Sequence, residues 1–269
     1  MDVKSMKGLM RKEWILLKWG ILALVFVNIA VVLVVPPLIN RAFDLPMNTF
    51  ENSLIISGTW FAFTISAGVV ILFTSLEKEM KQPEIWMHSP APMWQLVGIK
   101  AVFAVAVTGL ILILNGVLLS ISFMISDAYG TIPRFDGVLS MVSVMISIFL
   151  KSIYIMGFGF MFWSFYQIGR SRSKGLSVIF TTLLFFAGIF TGSVIAGLFR
   201  SIEFLMNIKG FGSVKLTELA FYNEQNSYFF TGIVPDGIVF SVGGLILYGA
   251  VTLIFFAVGA KVFEKKVRL

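Results

Sequence analysis

Apolar residues run in long blocks along this chain, and charged residues fall between the blocks. A hydrocarbon core of about 30 Å needs about 20 apolar residues in a helix. Blocks of that length occupy residues 19–39, 54–76, 101–125, 138–166, 176–199 and 237–260. The first ends near Pro36-Pro37, the fourth contains Lys151, and the fifth is rich in Gly, Ser and Thr. The pattern predicts an all-α polytopic membrane protein: six transmembrane helices in one transmembrane domain over residues 1–269. Six spans put both termini on one side, whereas five would part them. Before the first block, Met6, Leu9, Met10, Trp14 and Leu17 recur at steps of three or four, with Lys7, Arg11, Lys12 and Lys18 between them. That spacing predicts an amphipathic basic helix over 4–18, lying in the membrane interface or serving as a plain basic anchor.

Composition sharpens this reading. Of 269 residues, 58% are hydrophobic and 13% charged, and the mean hydropathy is +0.92. Soluble domains carry roughly 25% charge and about 45–50% apolar residues, so a soluble enzyme and a disordered chain are both excluded. Cysteine is absent, which removes disulfides, zinc thiolates and thiol catalysis. Lys and Arg set the orientation. Fifteen of the 21 fall in the N-terminal stretch, the loops after spans two and four, and the C-terminal tail. Five fall on the other side, and Lys151 lies within a span. The expected topology is N-in/C-in, and the basic excess calls for no nucleic-acid partner. The first apolar run is too long for the core of a cleavable signal peptide.

Two non-spanning segments stand out. Residues 200–236 form the longest, on the outer side, with Phe204, Leu205, Phe211, Tyr222 and Tyr228 among polar residues. A short interfacial helix or a re-entrant hairpin is expected there. Residues 77–100 form the cytoplasmic loop after span two. It carries Glu77 and Glu79, then Pro83, Glu84, Ile85, Trp86 and Met87, then Ser89-Pro90 and Pro92, and ends on Gly98-Ile99-Lys100. Proline is tolerated in a first helical turn and ends a helix that meets it later. A short helix after Pro83 would thus set an apolar knob among charges. Such a knob suits a protein partner, or a tryptophan at headgroup depth.

Here the chain resembles the permease subunits of type-2 ATP-binding-cassette (ABC) transporters. That family has a glutamate, a short helix with acidic and leucine-like residues, a Ser-Pro pair and a Gly-x-Lys opening span three. The short helix begins here with Gln82-Pro83 where the family often has Gly-Thr. The resemblance also covers the N-terminal elbow helix, the six spans and the longer outer segment. It implies that Glu77, Glu79, Glu84, Ile85, Trp86 and Met87 form a coupling helix gripped by a separate ATPase subunit, which would hold the ATP and Mg. It further implies a second permease, as a homodimer or with a related chain, and export of a lipophilic or amphiphilic compound across a bacterial plasma membrane. Gly188, Gly192 and Ala196 lie four apart in span five. Such a stripe lets helices approach closely, within one subunit or, as the resemblance implies, between two.

This chain itself is expected to bind no cofactor. A phosphate-cradling loop needs G-x-x-x-x-G-K-[ST]. The nearest string, Gly169 to Gly175, has the wrong order. His88 is the single histidine and has no ligand partner at metal spacing. Asp127 and Asp136 flank an outer turn and make no intramembrane protease dyad. Within the spans, Ser140, Ser143, Ser147, Lys151 and Tyr154 share one helix face at steps of three or four. Asn115, with Thr108 and Ser122, offers a facing stripe. These residues read as the flank of a translocation path, or as helix–helix glue with a lysine bonded to a neighbour. No acidic residue is expected inside a span, which weakens a proton-coupled carrier. A secondary carrier or channel, and a membrane enzyme, sensor or scaffold that does not transport, are the alternatives.

Overall fold

A computed structural model describes residues 3–43, 49–81, 93–125, 134–170, 175, 178–186, 202–219 and 237–267. These are almost wholly helical. Helix α1 (Val3–Ile29) passes through a π-helical turn (Ala30–Val34) into α2 (Val35–Phe43) without a break. Three long helices follow: α3 (Thr49–Met80), α4 (Met93–Ile125) and α5 (Arg134–Arg170). Residues 178–186 are helical too. Then come a short α6 (Glu203–Gly210), strands β1 (Ser213–Lys215) and β2 (Ile238–Ser241), and α7 (Val242–Val267). Among the described residues, five stretches are long and apolar enough to cross a membrane: Lys7–Phe43, Asn52–Met80, Trp94–Ile125, Phe135–Arg170 and Val242–Glu264. Their outward faces are apolar, with Trp19, Phe26, Leu110 and Leu253 exposed. An all-α, multi-pass membrane architecture is the consequence.

The long helices alternate in direction between two poles. At the pole holding the chain's described ends, Leu17, Leu72, Leu76, Val97, Phe160 and Phe263 share one core. At the opposite pole Val32, Phe50, Leu118, Ile148, Leu216 and Val239 share another. Helix α3 packs on α4 and α5, and α5 packs on α7. Close approach needs small residues. A Cβ on Gly259 would stand 2.8 Å from the Phe160 ring, and one on Gly68 2.8 Å from Thr108 Oγ1.

Three sequence expectations change. The first helix does not stop at Pro36-Pro37, because the π turn absorbs them. A proline donates no N–H and its ring crowds the carbonyl four residues back. Val35 N–H bonds Ala30 O, five residues back, which widens the helix just before the prolines. Nor does α1 break at residues 18–19, so 4–18 and the first apolar block form one rod. Finally, 238–241 is strand, not the start of the last helix. Ile238 and Val239 are β-branched, and β2 pairs antiparallel with β1, Ser213 opposite Ser241. Gly237 and Gly212 supply the positive φ values, 67° and 60°, that the turns beside these strands need. The segment expected on the outer side is therefore helix plus strand in its described part.

Candidate functional site

The residues that flank the predicted coupling segment are helical. Helix α3 runs through Glu77 and Glu79 to Met80, and α4 starts at Met93, so Lys100 lies two turns inside it. Only the middle of the expected 77–100 loop remains between the helices. Glu84, Ile85, Trp86 and Met87 lie outside the described residues, as do Gly188, Gly192 and Ala196.

Lys100 and Glu13 are both 3% exposed. The Lys100 ammonium donates to Glu13 Oε1, to Ser75 Oγ at 2.6 Å and lies 3.1 Å from Glu79 Oε2. Three acceptors match its three N–H donors. Ser75 Oγ in turn donates to Glu13 Oε2 at 2.5 Å. The second oxygen of Glu79 takes Lys12 Nζ at 2.6 Å. A buried ion pair is tolerable only when hydrogen bonds complete it, and here they do. The result ties α1, α3 and α4 at the base of segment 82–92. Lys78 adds a bond to Leu16 O at 3.1 Å.

Glu77 points the other way. Residues two apart on a helix lie on nearly opposite faces. Glu77 Oε1 accepts from Gln167 Nε2 at 2.7 Å and from Trp163 Nε1 at 3.2 Å, and its Oε2 lies 3.3 Å from Arg170. Trp163 also meets Phe263 of α7 at a tilt, ring centroids 5.1 Å apart. Together Glu77 and Glu79 fasten α3 to α1, α4 and α5.

The polar stripes lie within the bundle. Ser140 and Ser147 are buried, Lys151 is half-buried, and Ser143 Oγ bonds Leu139 O at 3.0 Å. Tyr154 meets Tyr248 and Phe255 of α7, with centroids 5.7 and 5.8 Å away. The α4 stripe faces α3, not α5: Ser122 Oγ donates to Ser53 at 3.0 Å, and Thr108 crowds Gly68. Asn115 is fully buried in that stripe. Between α4 and α5 an apolar groove of about 610 Å³ opens outward, lined by Leu112, Ile113, Gly116, Val117, Val142 and Phe149 among others.

Glu13, Ser75, Trp163 and Gln167 escaped the sequence reading. A signal existed. Glu13 is the single acid between residues 3 and 43, and it takes a place on the apolar stripe between Leu9 and Leu17. Lys100 sits likewise between Leu96 and Ala104. A charge at a core position announces a partner; the pattern does not say which one. Glu13 is an acid buried in the bundle, on the stretch expected to precede the first span. Among the described residues no cluster of metal-ligating side chains occurs. A scan against protein-family models and searches of curated proteins and solved structures found no match to this chain.

Proposed function

We propose that this chain is the membrane permease subunit of an ATP-driven transporter of the type-2 ABC kind. One observation carries the reading: both helices that bear segment 82–92 are bound to each other and to α1 through Lys100. A push on that segment moves three helices as a unit. Levers of this kind serve a chain that receives force from outside the membrane. In sequence that segment holds Glu84 and then Ile85 to Met87, the apolar residues among charges that a partner would grip.

Six spans with both termini in the cytoplasm complete the proposal. Helices α5 and α7 both end at the Lys100 pole, while α7 begins at the other. The chain between Arg170 and Ser213 has to connect opposite poles, and 178–186 supplies a helical part of that course. Phe185 meets Phe162 and Phe158, centroids 5.6 and 5.9 Å away, which suits a helix antiparallel to α5. The outward apolar groove suits lipophilic or amphiphilic cargo. A second permease and two ATPase subunits would complete the assembly in a bacterial plasma membrane, moving cargo outward.

Affinity purification in mild detergent tests this, with mass spectrometry of the proteins retained. The intact chain should bring down a nucleotide-hydrolysing subunit, and Ile85→Asp with Trp86→Asp should release it without loss of membrane insertion. A second reading has one observation in its favour. Glu13 is a buried carboxylate inside the first long helix, which a proton-coupled carrier could use. Flux by the chain alone, driven by a pH gradient and lost in Glu13→Gln, would establish that reading in place of the first.

A further inference from the structure

The ion-paired level of the three-helix junction is repeated, without charge, farther along the same helices. Glu13, Ser75 and Lys100 meet at the first level. Fifteen residues on along α1 is Asn28, fifteen back along α3 is Trp60, and fifteen on along α4 is Asn115. Contacts between these helices keep that register. Trp60 Nε1 donates to Asn28 Oδ1 at 2.6 Å, and Ser53 still meets Ser122 beyond it. Asn28, Trp60 and Asn115 therefore stand at one height, about 22 Å from the Lys100 level at 1.5 Å per residue. Ser57 lies one turn from Trp60 on α3.

Asn28, Ser57 and Asn115 are each 0% exposed. Yet Asn28 Nδ2, Ser57 Oγ and both amide atoms of Asn115 have no hydrogen-bond partner among the described residues. Leaving four such atoms unmade in one layer is costly, and buried polar atoms in native proteins are nearly always paired. We infer that Asn28, Ser57 and Asn115 bind a small cluster of ordered water at the centre of the α1, α3 and α4 junction. The chemistry selects the ligand. Amide N–H groups need an acceptor, Asn115 Oδ1 needs a donor, and Ser57 serves as either. Water supplies both, and a buried water makes about three such bonds. A cation would want carboxylates and an anion would want a positive charge, and among the described residues this level holds neither. The π turn at Ala30–Val34 begins two residues past Asn28, and such turns often mark places where a helix hosts function.

The inference rests on this register alone and holds with or without an ATPase partner. Thermal unfolding of the full chain in detergent tests it, with Asn115→Leu, Ser57→Ala and the two combined. Neither residue has a protein hydrogen bond of its own to lose. If water binds there, each single variant lowers Tm by several degrees, and the double variant lowers it by less than the sum, because the groups share a cluster. If the site is dry, removing an unmade polar group raises Tm or leaves it unchanged, and that result overturns the inference. Strictly additive losses overturn the shared cluster. Should Asn115→Leu fail to fold, Ser57→Ala decides alone: a lower Tm supports bound water, and an equal or higher one refutes it.

Discussion

The two levels of the α1, α3 and α4 junction use the same helices in the same register and solve opposite problems. At one, Glu13 and Lys100 are buried charges, and each N–H of the ammonium has an acceptor. At the other, Asn28 and Asn115 are neutral, and one bond, from Trp60, is all that the side chains of Asn28, Ser57 and Asn115 take among the described residues. A buried charge without a partner is forbidding, so the first level had to be completed within the protein. A neutral amide tolerates completion by a small ligand. The charged level is thus a rigid joint, and the neutral level is a soft one.

Breaking the rigid joint has the largest expected effect. Lys100→Met leaves Glu13 buried without its cation and should destabilise the chain by about 3–5 kcal/mol, read by denaturant unfolding in detergent micelles. Adding Glu13→Leu should return most of that loss, since replacing a buried ion pair by apolar groups is often neutral. A double variant as unstable as the single would show that the pair is not the source. Glu79→Gln keeps the Glu13 bond and weakens one of three around Lys100, so about 1.5–3 kcal/mol should be lost.

Gly259→Val sharpens the comparison from the packing side. It touches neither level but presses on the Phe160 ring and on the Met161 backbone, 3.2 Å away. Overpacking of this kind costs about 1–3 kcal/mol, and the same unfolding assay should place it near Glu79→Gln. Arg170→Ala should show the smallest change. Its pair with Glu77 is 39% exposed on both sides, where such pairs contribute at most about 1 kcal/mol. Raising the salt concentration should erase its effect while leaving that of Lys100→Met intact.

Much of the fold was legible because lipid imposes length and apolarity on each crossing helix. The blocks at 54–76, 101–125 and 138–166 all lie inside helices, which the structure extends at both ends of the first and third and at the start of the second. The extensions were hidden by their charges. Glu77 and Glu79 look like loop residues until Gln167 and Lys100 are seen beside them. Lys100 counted toward the basic loops for the same reason, although its charge is neutralised in the bundle. Its partner Glu13 lies 87 positions away, and periodicity does not reach across helices. Strand β1 is three residues long, too short to leave a pattern. The proline pair was read as a stop because a π turn has no sequence signature of its own. Tyr154 and Lys151 share a face of α5, but the spacing does not reach the Tyr248 and Phe255 rings that meet Tyr154 from α7.

The central proposition is that Lys100 carries motion from segment 82–92 into α1. ATP hydrolysis by the proposed ATPase subunit, reconstituted with the chain in lipid nanodiscs, tests it most directly. The comparison is between the intact chain and the paired Glu13→Leu, Lys100→Met variant. The prediction is that the variant still holds its ATPase but loses most of the stimulation that the intact chain gives. Unchanged stimulation with the joint removed, or no ATPase held by the intact chain, would contradict it.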